Sequence, residues 1–155
     1  MTNEQQRLVR ESWERIAPAA PGAAALFYER LFTIDPSLRS LFATADMTAQ
    51  GAKLMDVITV AVHSLGRLER VTPALRVLGR RHAAEYGVRD TDYDTVGAAL
   101  LWTLERGLGS FFTGAMREAW AAAYSALAGV MRAAAAEVAT PAYPRALVTT
   151  PLIPS

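Results

Sequence analysis

Two histidines, a single lysine and no cysteine bound the chemistry open to this chain of 155 residues. His82 follows Leu78 by four residues and Leu75 by seven, so on a helix the three share one face, which should point inward. An imidazole there needs a partner. One reading is a core histidine bonded to a backbone carbonyl; the other is a ligand to something bound inside. His63 stands between Val62 and Ser64, beside an apolar stripe, and reads as a surface residue. The two histidines fall on different helices and do not form the i, i+4 pair that zinc favours, nor do carboxylates join them at ligand spacing. Absence of cysteine excludes disulfides, thiolate metal sites and a thiol nucleophile. Asp90, Asp92 and Asp94 cluster, but a calcium loop needs more oxygen ligands and a terminal Glu, so helix capping is the expectation. Gly107-Leu108-Gly109 lies in or at the end of a helix and is no phosphate loop. Six arginines between Arg67 and Arg89 face Glu69 and Glu85, which suits an anion site or, more ordinarily, a solvated face.

The elements that must position these groups are helices. Apolar residues recur at helical spacing nearly throughout, no run has a period of two, and no repeat is visible. Leu8, Val9, Trp13 and Ile16 share a face of a first helix, about Thr2 to Ile16, with Thr2 as N-cap. Pro18 and Pro21 separate it from a second, which runs to about Ile34. Asp35 caps a short helical turn to Leu41, and Phe42 to Thr48 reads as a loop. The stripe Leu54, Val57, Ile58, Ala61, Val62 and Leu65 marks the next helix. After a break near Gly66 to Thr72, Thr72-Pro73 opens a helix through His82 that ends at Gly87. Asp90 or Thr91 caps a long helix carrying Val96, Leu100, Leu101, Leu104 and Leu108. Thr113 caps the last, with Met116, Trp120, Ala123, Tyr124, Leu127, Val130 and Met131 in register. The expectation is an all-α domain of about seven helices over residues 1–139. A Pro-rich tail, 140–155, is expected to be a mobile appendage.

Composition agrees with one soluble domain. Apolar residues make up 52% and charged residues 20%, which excludes a disordered or fibrous chain. The net charge of +1 gives no general pull towards nucleic acid or an anionic membrane. The N-terminus MTNEQQRLVRESWERI is polar and amphipathic and is no signal peptide, and the apolar stretch Ala119 to Met131 is too short and too weak to span a bilayer. A cytoplasmic location is the expectation.

Seven segments in order carry a family resemblance: Trp13 in SWERI, LFYERLF (26–32) with Tyr28, IDPSLRSLF (34–42) with Pro36 and Phe42, AQGAKLM (49–55) with Gln50, Lys53 and Leu54, LGRRHAAEYGV (78–88) with His82, YDTVGAALL (93–101) with Tyr93, and AWAAAY (119–124). Over about residues 4–137 the chain resembles the globins, and more narrowly the bacterial single-domain globins related to flavohaemoglobin haem domains. The resemblance implies a 3-over-3 helical sandwich holding haem b, iron protoporphyrin IX. It gives His82 the role of proximal ligand, with its second nitrogen donating to a backbone carbonyl. Phe42 would wedge against the macrocycle, and Leu54, Val57, Ile58, Leu78, Val88 and Val96 would line its faces. Arg81 and Lys53 would meet the propionates. Tyr28 and Gln50 would point at the diatomic ligand; a phenol donates one hydrogen bond and an amide up to two, which favours tight binding of dioxygen.

The pattern also departs from that group. Tyr93 matches the tyrosine of a Tyr–Glu pair beside the proximal histidine, but the glutamate's place falls on Ala135, and Glu137 should point elsewhere. Within these 155 residues there is no room for the flavin and nicotinamide domains of that group, and any reductase is expected to be a separate partner. The implied function is reversible, high-affinity binding of dioxygen and related ligands such as nitric oxide and carbon monoxide. The alternatives are nitric oxide dioxygenase activity with a separate reductase, or a gas- or redox-sensing module.

Overall fold

Thr2 opens the first helix, α1 (Asn3–Ile16), with a reciprocal cap: its hydroxyl accepts from the Gln5 N–H at 3.0 Å, and the Gln5 side chain accepts from the Thr2 N–H at 2.9 Å. Such a cap contributes about 1 kcal/mol. The computed structural model describes residues 1–138, so the expected tail at 140–155 and the last residue of the expected domain lie outside the described residues. Pro21 sits in the first turn of α2 (Ala20–Ile34), where its missing N–H needs no partner. The Asp35 carboxylate accepts from the N–H and the hydroxyl of Ser37 and starts Pro36–Phe42, which is a 3-10 turn and not an α-helix.

Three boundaries differ from the sequence expectation. α3 (Met47–His63) begins inside the stretch read as a loop, because the Asp46 carboxylate caps the N–H groups of Thr48 and Ala49. α4 (Leu68–Tyr86) starts four residues before Thr72, with Pro73 inside it. A proline this close to the start removes the one bond its N–H would make, to the carbonyl of exposed Glu69. α5 (Asp90–Leu108) is capped neither by Asp90 nor by Thr91; the Asp92 carboxylate reaches back to the Arg89 N–H at 2.8 Å. Thr113 caps α6 (Gly114–Ala135) as expected, accepting from the Met116 N–H at 3.2 Å. The described residues thus form six α-helices joined by 3-10 turns, and no strand.

The helices pack as two layers of three. α1, α3 and α4 lie over α2, α5 and α6, with α4 on α6, α2 on α5, α1 on α6 and α2 on α3 as the broadest contacts. Two cores result. In the first, the Trp13 and Trp120 rings meet at 5.9 Å; the Trp120 N–H donates to buried Ser12 and the Trp13 N–H to Thr59. The second gathers Phe27, Tyr28, Leu31, Phe32, Leu38, Leu41, Phe42, Tyr86 and Ala99. Among the described residues no helix is long and apolar enough to cross a membrane.

Candidate functional site

A cavity of about 220 Å³ opens between the layers, and its wall is almost wholly apolar. His82 reaches it from the last turn of α4. The helix ends there because Gly87 adopts φ +68°, a left-handed conformation that glycine enters without strain. The chain then folds back so that the Val88 N–H donates to the His82 carbonyl at 2.9 Å, and Val88 joins the cavity wall.

The imidazole is 8% exposed, and its Nδ1 stands 2.7 Å from the carbonyl oxygen of Leu78. A carbonyl can only accept, so Nδ1 carries the proton and Nε2 keeps its lone pair. Burial holds the ring's pKa down to about 4; the Leu78 carbonyl opposes this, and the Arg81 charge adds a smaller downward push. The ring is therefore neutral at pH 7, as a ligating nitrogen must be.

The structure brings Tyr28, Leu54, Val57, Ile58, Leu78, His82, Val88, Tyr93 and Val96 together around the cavity. Tyr28 is buried, and loss of solvent pushes its phenol up to about 12, with Gln50 pulling slightly the other way. At neutral pH it is a donor. Gln50 is 1% exposed and lies outside the cavity wall; its amide is near enough to the Tyr28 hydroxyl to act on it, but neither its nitrogen nor its oxygen makes a well-formed hydrogen bond. Leaving such a group unsatisfied costs about 1–3 kcal/mol.

Four expected contacts are not made at the wall itself. Besides Gln50, Phe42 packs behind Tyr28, edge to face at 5.4 Å, and against Phe32 at 5.6 Å. Of these two rings only Tyr28 lines the cavity, so Phe42 stands behind it. Lys53 and Arg81 are half-buried away from the wall, and Arg81 pairs with Glu85 one turn on at 3.3 Å. An apolar wall leaves no place for their charges, which sit instead where solvent reaches them.

On the α5 side, the Tyr93 hydroxyl is buried without a hydrogen-bond partner, while its carbonyl accepts from the Tyr124 hydroxyl at 2.6 Å. Burial pushes the Tyr93 phenol up to about 12, against the pull of Arg132, whose guanidinium lies 5.3 Å from the ring centre. Arg132 also pairs with Asp94 at 2.6 Å and Asp90 at 3.7 Å, so the acidic cluster is spent on a cap and an ion pair. Glu137 turns outward to Arg76 at 2.7 Å and Arg80 at 3.6 Å. His63 is exposed, and among the described residues no cluster of His, Asp and Glu is set to hold a metal ion.

Phe27, Leu31, Leu38, Leu75, Leu100 and Trp120 also line the cavity. Leu75 and Leu100 carried a signal, since each shares a helix face with a residue expected at the site. Leu38 carried none, because a 3-10 turn has no α-helical period.

Comparison with known proteins fits this geometry. The family model described as Globin matches residues 25–131. Neuroglobin of Danio rerio is 30% identical over an alignment covering 84% of this chain and 90% of that protein. Neuroglobin of Tetraodon nigroviridis is 29% identical and Neuroglobin-1 of Oncorhynchus mykiss 28%, with the same coverage.

Proposed function

The chain belongs to the globin family, and on that premise we propose that it binds dioxygen reversibly and with high affinity, with His82 as proximal ligand and Tyr28 and Gln50 as distal donors. Globins bind haem and, through it, diatomic gases. The residues present here fit that group: an apolar cavity, one neutral imidazole with a bare Nε2 at its wall, and a buried amide that makes no well-formed hydrogen bond beside the Tyr28 hydroxyl. When bound, the haem supplies an iron with one position for His82 and one for the gas.

Every other contribution comes from the chain. The Leu78 carbonyl fixes the His82 tautomer and turns Nε2 into the cavity. Leu54, Val57, Ile58, Leu78, Val88 and Val96 exclude water, which strengthens any hydrogen bond formed inside. Tyr28, kept protonated by burial, donates to a ligand that takes on partial negative charge. Gln50 is the second donor, and its unsatisfied amide gives it a reason to move towards such a ligand. Arg81 and Lys53, outside the apolar wall, would meet the haem carboxylates, while Phe42 braces Tyr28 from behind. We take the haem to be type b and the setting to be the cytoplasm.

The observation that carries this reading is the His82–Leu78 hydrogen bond at the wall of an apolar cavity. It also bears on the enzymatic alternative. In the kinship to flavohaemoglobin haem domains that the motifs suggest, a glutamate would sharpen the proximal ligand's electron donation. Here Ala135 stands at that place, and Glu137 is engaged by Arg76 and Arg80. This favours reversible binding over nitric oxide turnover with a separate reductase. The test is a set of absorption spectra of the ferric, ferrous and carbonmonoxy forms, with dioxygen release rates. A haem-supplemented protein without a Soret band contradicts the proposal, and so does a Tyr28→Phe variant that releases dioxygen no faster than the unaltered chain.

A further inference from the structure

Tyr86 lies one turn beyond His82 on α4, and the two rings meet edge to face, with centroids 5.5 Å apart and planes at 80°. Tyr86 is 0% exposed and belongs to the aromatic core that also holds Tyr28 and Phe42. It does not line the cavity.

The His82 ring has two ways to turn. Its bond to the Leu78 carbonyl, one turn back, fixes where Nδ1 points. A single hydrogen bond leaves the ring free to rock about the N–H···O axis. The edge-to-face contact from one turn ahead removes that second freedom. Tyr86 can do so because it is itself fully buried. It belongs to the buried cluster that includes Phe27, Leu31 and Leu38, and the backbone after it is shaped by the left-handed Gly87 and by the Val88 N–H bonded to the His82 carbonyl.

We propose that Tyr86 is a positioning residue that sets the rotation of the His82 imidazole, the imidazole being clamped between the Leu78 carbonyl and the Tyr86 ring. The proposal rests on the reading of His82 as proximal ligand. It concerns the ring of Tyr86 and not its hydroxyl. Aromatic pairs of this geometry bias an equilibrium by about twofold to tenfold, which sets the size of the effect.

The test uses the haem-loaded full chain and two readouts: the iron–imidazole stretching band in ferrous resonance Raman spectra, and the rate of haem transfer to excess apomyoglobin. Tyr86→Phe is expected to keep the wild-type band and rate. Tyr86→Leu, and Tyr86→Met, which fills the space with a flexible apolar chain, are expected to shift or broaden the band and to speed transfer by about twofold to tenfold. Should the Leu variant not fold, the Met variant carries the test. An unchanged band and rate in haem-retaining Leu and Met variants overturns the proposal. So does a Phe variant as altered as the Met variant, since that assigns the effect to the hydroxyl. If the wild-type chain itself shows no iron–imidazole band, the His82 assignment falls first and this proposal with it.

Discussion

The Nδ1 of His82 and the carbonyl oxygen of Leu78 lie 2.7 Å apart, four residues along one helix. A backbone carbonyl on the same helix is a partner that no side-chain substitution removes, so the tautomer is built into α4. Nε2 is left with nothing to do except bind. His82→Gly should therefore abolish stable haem retention, and added imidazole should restore a Soret band by occupying the space the side chain leaves. Normal haem content in the variant without imidazole excludes His82 as the ligand.

Tyr28 tests the distal side. Its ring is held by Phe27, Phe32 and Phe42 at 5.1, 6.1 and 5.4 Å, so Tyr28→Phe keeps the packing and removes only the hydroxyl. One lost hydrogen bond of ~1.4 kcal/mol predicts dioxygen release roughly tenfold faster. Stopped-flow displacement of dioxygen by carbon monoxide measures it.

Gln50→Leu should move two properties in opposite directions. The amide is fully buried and makes no well-formed hydrogen bond, so an apolar replacement of similar size should stabilise the haem-free fold by about 1 kcal/mol. The same change removes a donor and should speed dioxygen release. Urea unfolding and release kinetics on one preparation check both, and a less stable variant means that the amide has a partner in solution.

How far the sequence reveals this arrangement depends on the kind of interaction. The helices are legible because burial imposes a 3.6-residue period; the stripe from Leu54 to Leu65 and the face shared by Leu75, Leu78 and His82 survive in the structure. Caps that use the preceding residue, such as Thr2 and Thr113, are legible too. That the acidic cluster at the start of α5 caps it is legible, but not that Asp92 is the one, because it caps backwards from inside its helix; the start of α4 is masked by Pro73, which reads as a boundary. Gln50 and Phe42 share helix or turn faces with cavity residues, yet whether a side chain reaches the wall or stops behind its neighbour is decided by three-dimensional packing. Tyr86, four residues after His82, continues the face of Leu78 and His82, but the period does not show that its partner is the imidazole ring.

Alkaline stability should report the buried phenols. Burial raises Tyr28 and Tyr93 to about 12, and Tyr124 is displaced upward by the same cause. An exposed phenol in the unfolded chain ionises near pH 10. Between about pH 10 and 12 the unfolded state therefore holds fewer protons than the folded one, and stability falls as pH rises. Stability is full below pH 10, and by pH 11 the loss is ~1.4 kcal/mol for each such group. Urea midpoints at pH 9 and 11 measure the drop, and Tyr28→Phe should remove its share; an equal drop in that variant means Tyr28 titrates like an exposed phenol.

Two glycines on neighbouring helices should respond to alanine with opposite signs. Gly79 lies one turn before His82 at the crossing of α4 and α6, where an added Cβ would stand against the Met131 carbonyl oxygen and 2.8 Å from the Met131 Cα. Backbone cannot move aside as a side chain can, so Gly79→Ala should push the helices apart, destabilise the fold by about 1–3 kcal/mol and shift His82 with α4. Gly129, on the exposed face of α6, has nothing within 4 Å of that position. Gly129→Ala should add about 0.5–1 kcal/mol through helix propensity alone and leave the absorption spectrum unchanged. Thermal unfolding with Soret spectra on both variants separates the two effects. A Gly79→Ala protein with wild-type stability and spectrum shows that α4 does not depend on this close approach to hold His82 in place.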